Sequence, residues 1–395
     1  MKHLMENRAR HFGALTILLA FACSSSNATN GKDRGESPDG DAASLTPDAS
    51  TDSAINKDAV KTPNVSADAA TAYLSDPKGG RITRLQVQGR NLYWISGYHR
   101  IVKASLDDRT ITTLYAAPGT SDSTVAIADF ATDGTNAYIA YDGDKDYADR
   151  GVYQFPLDGS AAPNQLTSSP NPNVTYPNTI TVSGDDVCYS ESSAIRHVKT
   201  SGGNVTTMVQ DRGSPYDGRL LVKDGYVYFT MAIGGSLARD DVYRWPIGVP
   251  APAGVDGGSP GGTDAGGPTA APEKVSLVPG NYTILLGRRI DQGFVYWSVE
   301  DTVYRTDGSS FATEVFTGGS PLQPSDTGIG YCLFPFEGAV YWGLGTFGGT
   351  ERLFKQEVGV DGNGTLVASI GASDMVADSD YLYVASGSDV WRLPR

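Results

Sequence analysis

The feature that most limits how this chain can fold is a short apolar motif, usually centred on Tyr, that returns seven times. The copies are Leu92-Tyr93-Trp94, Ala137-Tyr138-Ile139, Val187-Cys188-Tyr189, Val227-Tyr228-Phe229, Val295-Tyr296-Trp297, Val340-Tyr341-Trp342 and Leu382-Tyr383-Val384. Their centres are 45, 50, 40, 68, 45 and 42 residues apart. The long interval contains a Gly/Pro-rich insertion at 249–272, and without it that interval matches the rest. A strand-like repeat of this period means that each unit leaves an apolar face uncovered until a neighbouring unit packs on it.

The flanking residues complete the unit. An apolar segment and a turn such as Asp133-Gly134, Asp224-Gly225 or Glu337-Gly338 precede the motif, as a hairpin requires. A third segment follows, apolar, then usually aromatic, then basic: Ile101-Val102-Lys103, Ile195-Arg196-His197, Val242-Tyr243-Arg244, Val303-Tyr304-Arg305 and Val390-Trp391-Arg392 are examples. A weaker fourth segment comes next, as in Thr112-Thr113-Leu114-Tyr115. Four antiparallel strands that are apolar on both faces make a propeller blade, and the 47 Gly and 21 Tyr suit many short strands joined by tight turns. The expected fold is all-β, a seven-bladed β-propeller over 69–395 with four-stranded blades. The last repeat stops after three strands, and an unpaired candidate, Ala72-Tyr73-Leu74, lies before the first, so an N-terminal strand is expected to close the ring.

The N-terminus reads as an export signal over 1–22. Lys2, Arg8 and Arg10 precede an apolar run from Phe12 to Ala22 that is short for a membrane span. Its end, Leu19-Ala20-Phe21-Ala22-Cys23, resembles the lipobox of bacterial lipoproteins, with Ala20 where that family usually has Leu. The resemblance implies cleavage before Cys23, lipidation of Cys23 and a membrane partner through the lipid. Residues 23–68 are rich in Ser, Asp, Gly, Pro and Ala, bury too little to offset the entropy of ordering, and read as a disordered acidic tether. Together these imply a secreted protein of the bacterial envelope. Ser24 directly after Cys23 is compatible with the outer membrane by analogy with lipoprotein sorting.

The stretch Leu92-Tyr93-Trp94-Ile95-Ser96-Gly97, continuing from His99 to Asp107, resembles the YWTD repeats of lipoprotein-receptor propellers and related bacterial repeat proteins. Val295-Tyr296-Trp297-Ser298 and Val340-Tyr341-Trp342-Gly343 are similar. The fourth residue of that motif, usually Asp, is missing throughout, and the YWTD class has six units. The resemblance implies a fold and no ligand.

The chemistry in the sequence is sparse. The chain carries a net charge of −14, and without the signal about −16, which makes nucleic acid a poor partner. Only His99 and His197 follow the signal, too few for a three-His metal site, and His197 falls on the basic strand position. Cys188 and Cys332 fall in blades three apart, so free buried thiols are expected. No cofactor motif is present. Asp142, Asp144, Asp146 and Asp149 alternate in one loop of blade 2, a pattern that reads as a solvated acidic loop or as a calcium site.

Counting nine residues back from each central position gives Arg84, Asp129, Thr179, Arg219, Gly287, Cys332 and Asp374, near the start of each innermost strand. Arg84, Asp129, Thr179, Arg219 and Asp374 are therefore the candidate ligand-binding residues at the channel mouth, with interblade ion pairing as the structural alternative. The sequence points to a binding scaffold for a protein, glycan or small molecule. A carboxylate-dependent hydrolase or lyase at the channel mouth is the other reading.

Overall fold

The structure is a computed structural model that describes residues 72–117, 127–143, 149–168, 177–191, 194–210, 219–232, 240–251, 272–275, 284–287, 289–299, 302–309, 313–317, 332–344, 351–360 and 364–395. The signal, Cys23, the tether and most of the 249–272 insertion lie outside the described residues. The described strands form seven antiparallel sheets of four strands each. Six sheets are continuous runs of chain whose strands pair in sequence order. The seventh is composite: Ala72–Ser75 pairs antiparallel with Asp389–Pro394, ahead of Tyr381–Ser386 and Asp374–Ala377. The closing strand expected from the sequence is present, and it covers what would otherwise be an unpaired edge.

The reason for the repeat is visible in the packing. Among the described residues seven buried clusters hold the core, and each joins one sheet to the next. At the seam, Tyr73, Tyr383 and Val390 of the last sheet pack with Leu92, Trp94 and Val102 of the first. The second strand of a sheet supplies both of its faces. In Asn91–Ser96, Tyr93 faces the cluster shared with the following sheet while Trp94 faces the seam. That is why consecutive positions of the motif are apolar, and why Tyr138, Tyr228, Tyr296, Trp94 and Trp297 are almost wholly buried.

Cross-strand pairing explains the basic position of the third strand. The central residue lies opposite it in each case: Tyr93 with Lys103, Tyr228 with Arg244, Tyr296 with Arg305, Tyr383 with Arg392 and Cys188 with His197. The cation crosses an aromatic ring near the sheet edge, as with Arg305 at 4.2 Å from the Phe294 ring centre and Arg392 at 4.4 Å from that of Tyr381. His197 instead puts Nε2 2.6 Å from the Asp186 carboxylate, which Lys199 shares at 2.6 Å, so its role there is structural. Two-residue turns set the register: Asp224-Gly225 and Glu337-Gly338 have φ of 51° and 77°, and 49° and 78°. Positive φ at both positions belongs to the hairpin turn whose twist matches the strands, and glycine takes the second at no steric cost. Cys188 and Cys332 are buried thiols outside any disulfide, and burial pushes Cys188 up to about 12.

Candidate functional site at the channel mouth

A cavity of about 310 Å³ opens where the innermost strands converge. Those strands are Ile82–Gln88, Ile127–Thr132, Pro177–Ser183, Leu221–Lys223, Ile284–Leu286, Cys332–Phe336 and Asp374–Ala377. Every blade contributes to the lining, blade 5 through Arg289 just beyond its innermost strand. The cavity brings together Arg84, Asp129, Arg219 and Asp374, as the count from the central Tyr anticipates.

Thr179 is the exception among the five candidates. It is buried, its N–H donates to Ser190 Oγ at 3.2 Å, and its neighbours Ile180 and Thr181 line the cavity in its place. Gly287 and Cys332 do not line it either; Arg289 and Phe334, each two residues later, do. Pairing register does not separate these positions in blades 3 and 6. Thr179 lies opposite Ser190 behind a bulge just as Asp129 lies opposite Ala140, and Cys332 lies opposite Gly343 without one, as Asp374 lies opposite Ala385. The difference is in the side chains: the short Thr179 is buried, and the Cys332 thiol lies 4.0 Å from Asp374 Oδ1. In blade 5 the Gly287 N–H donates to the Tyr296 carbonyl at 2.8 Å, and the longer hairpin that follows presents Arg289 to the channel.

The two carboxylates are fastened to the fold. Asp374 Oδ2 accepts the Leu85 N–H at 2.8 Å from the neighbouring blade, and Oδ1 accepts the Met375 N–H at 2.8 Å. Asp129 repeats the arrangement, with Oδ2 on the Ile180 N–H of the next blade at 3.1 Å and Oδ1 on the Phe130 N–H at 2.9 Å. Arg84 Nε lies 3.1 Å from Asp129 Oδ1, with the side chains 21% and 10% exposed. Each Asp thus bridges adjacent blades through charge-assisted hydrogen bonds in a partly dry setting, a firmer contact than an exposed ion pair. Arg84 has φ of 56°, the left-handed region that costs a side-chain-bearing residue about 1–2 kcal/mol. Such strain, where it occurs, tends to sit at ligand sites.

Arg289 has a different environment. Its guanidinium lies 4.8 Å from the ring centre of Phe336 and 5.8 Å from that of Phe334, and its Nε donates weakly to the Ile290 carbonyl at 3.4 Å. Burial holds its pKa below the usual arginine value, offset in part by the charge of Asp291. The sequence signal for it was the Arg288-Arg289 doublet just ahead of the Asp291-Gln292-Gly293 turn, which a fixed count from the Tyr steps over.

The acidic loop of blade 2 is only partly described, because Asp144 and Asp146 lie outside the described residues. Asp142 Oδ1 is 2.9 Å from Arg150 Nε, and burial pushes the carboxyl up to about 6 despite that cation. The Asp149 carbonyl accepts the Tyr153 hydroxyl at 2.6 Å. Asp142 is therefore already engaged by a cation of the protein itself, which weighs against its serving a calcium ion. His99 is buried at the end of its loop.

Three solved structures that share this arrangement are remote in sequence. YCF48 bound to D1 peptide is 13% identical, with 82% of this chain and 95% of that chain aligned at a TM-score of 0.57. The fold is a β-propeller. YCF48 from Cyanidioschyzon merolae aligns over 82% of this chain and 99% of its own at 10% identity and a TM-score of 0.55. The WD40 propeller domain of Doa1 aligns over 80% and 92% at 11% identity and a TM-score of 0.51. The sequence matches no protein-family model and no curated protein. Identity this low carries the fold and nothing about the ligand.

Proposed function

We propose that this chain is an envelope-anchored lipoprotein whose propeller is a binding scaffold, with its ligand site at the channel mouth. One observation carries the reading. A cavity of about 310 Å³, within the roughly 300–1,000 Å³ span of ligand pockets, is lined by polar and apolar side chains from all seven blades. The same geometry weighs against a carboxylate-dependent hydrolase. Both oxygens of Asp129 and of Asp374 accept backbone N–H groups, whereas a general acid or base has to keep an oxygen for substrate. Binding of a peptide by one of the remote propellers, the YCF48 complex with D1 peptide, is consistent with a scaffold role and does not specify the partner.

The anchor rests on the lipobox-like Leu19-Ala20-Phe21-Ala22-Cys23 and on the polar stretch behind it, which has the reach to hold a domain clear of headgroups. We extend the reading to placement at the outer membrane, on the strength of Ser24. The test is affinity capture from detergent-solubilised envelope with the tagged chain and with an Arg219→Gln, Arg289→Gln double variant, alongside palmitate labelling of wild type and Cys23→Ser. Partners retained equally by the double variant refute the channel-mouth site, and label persisting in Cys23→Ser refutes the anchor.

A further inference from the structure

The cavity lining also indicates a ligand class, an inference that rests on the channel mouth being the binding site. Its described lining holds three guanidinium groups, Arg84, Arg219 and Arg289, and two carboxylates, Asp129 and Asp374. The balance is one positive charge in a chain of net charge −14. Asp129 and Asp374 bind backbone N–H groups, and Arg84 is paired with Asp129. Among the described residues no carboxylate lies within ion-pair distance of Arg289. Asp291, whose charge it feels, has its two oxygens on the N–H groups of Glu337 and Gly338 at 2.8 and 3.0 Å.

A guanidinium lying on aromatic rings still has its N–H fork available at the edge, and that fork matches a planar carboxylate. The stacking on Phe336 and Phe334 also leaves the cation poorly hydrated, so an incoming anion displaces little water from it. We propose that Arg289 binds the carboxylate of a small monocarboxylic acid whose carbon skeleton rests on Phe334, Ile180 and Met375. A single negative charge completes the balance of the lining, whereas a phosphate dianion overshoots it and meets Asp129 and Asp374.

The test is isothermal calorimetry on the full chain with butyrate and benzoate, with benzamide as the neutral shape match and with inorganic phosphate. Wild type, Arg289→Gln, Arg289→Lys and Arg90→Gln are compared, each first shown by its melting curve to be folded. Arg90 pairs with Asp107 on an exposed turn, does not line the cavity and serves as the control. The expected result is saturable carboxylate binding that weakens roughly tenfold or more in Arg289→Gln, the worth of one charge-assisted hydrogen bond. Arg289→Lys falls between, Arg90→Gln is unchanged, and benzamide and phosphate bind more weakly than benzoate. Carboxylate binding insensitive to Arg289→Gln, or none at all, overturns the proposal. Benzamide binding as tightly as benzoate, and lost in Phe334→Ala, overturns the charge class alone and leaves the channel mouth a binding site.

Discussion

Truncating Tyr73 tests the closed ring at one side chain. Its hydroxyl donates to the Leu106 carbonyl of blade 1 at 2.8 Å, while its ring lies 6.1 Å from that of Tyr383 in the last blade. Arg392 and Arg109 approach the ring centre at 4.2 and 4.7 Å. Tyr73→Ala empties that seam: loss of a buried aromatic costs about 3–5 kcal/mol, the hydroxyl bond supplying about 1 of it and the cation contacts about 0.5–1 each. In a domain of this size about 2 °C accompanies each kcal/mol, so the melting temperature should fall by roughly 6–10 °C. Tyr73→Phe keeps the ring and should lose only about 1–2 kcal/mol. Leu366→Ala, at a residue 44% exposed on an outer strand, should stay within about 0.5 kcal/mol of wild type. The assay is thermal unfolding followed by far-ultraviolet circular dichroism. If Tyr73→Ala melts no lower than Leu366→Ala, Ala72–Ser75 does not close the ring in solution.

Two further outcomes follow from single carboxylates. Asp374→Asn should cost about 1–3 kcal/mol in urea unfolding, since the amide can accept from only one of the Leu85 and Met375 N–H groups and turns its own N–H toward the other; an unchanged midpoint would show that this carboxylate does not tie the last blade to the first. Asp142 titrates in the opposite sense to most buried carboxylates here: burial raises its folded pKa to about 6 from an unfolded 3.8, so its contribution is full below about pH 4 and is lost as pH rises through about 6. Asp142→Asn should therefore gain stability relative to wild type at pH 8 and not at pH 4, and melting curves showing the same difference at both values would contradict the burial argument.

The blade follows from the pattern of residues along the chain. Consecutive apolar residues around each central Tyr require burial on both faces, which stacked sheets supply, and Tyr93 and Trp94 accordingly pack on two different neighbours. The unpaired Ala72-Tyr73-Leu74 likewise implied its partner, because a three-stranded end leaves an edge to be covered. The channel mouth was legible where the ninth residue back carries a charged side chain: Arg84, Asp129, Arg219 and Asp374 converge as their spacing from the Tyr suggests. The count missed at Thr179 and Cys332, which share the register of Asp129 and Asp374 but carry short, buried side chains, and it missed Arg289 because the longer hairpin of blade 5 changes which residue faces the axis. Tertiary structure also decided what the charges do. Asp129 and Asp374 each spend an oxygen on an amide of the next blade, whereas Arg289, which a fixed count steps over, is the cation beside the Phe334 and Phe336 rings. The period of a pattern is a property of the chain, but which polar atoms are already satisfied depends on contacts between residues such as Leu85 and Asp374, distant in sequence and adjacent once the ring is closed.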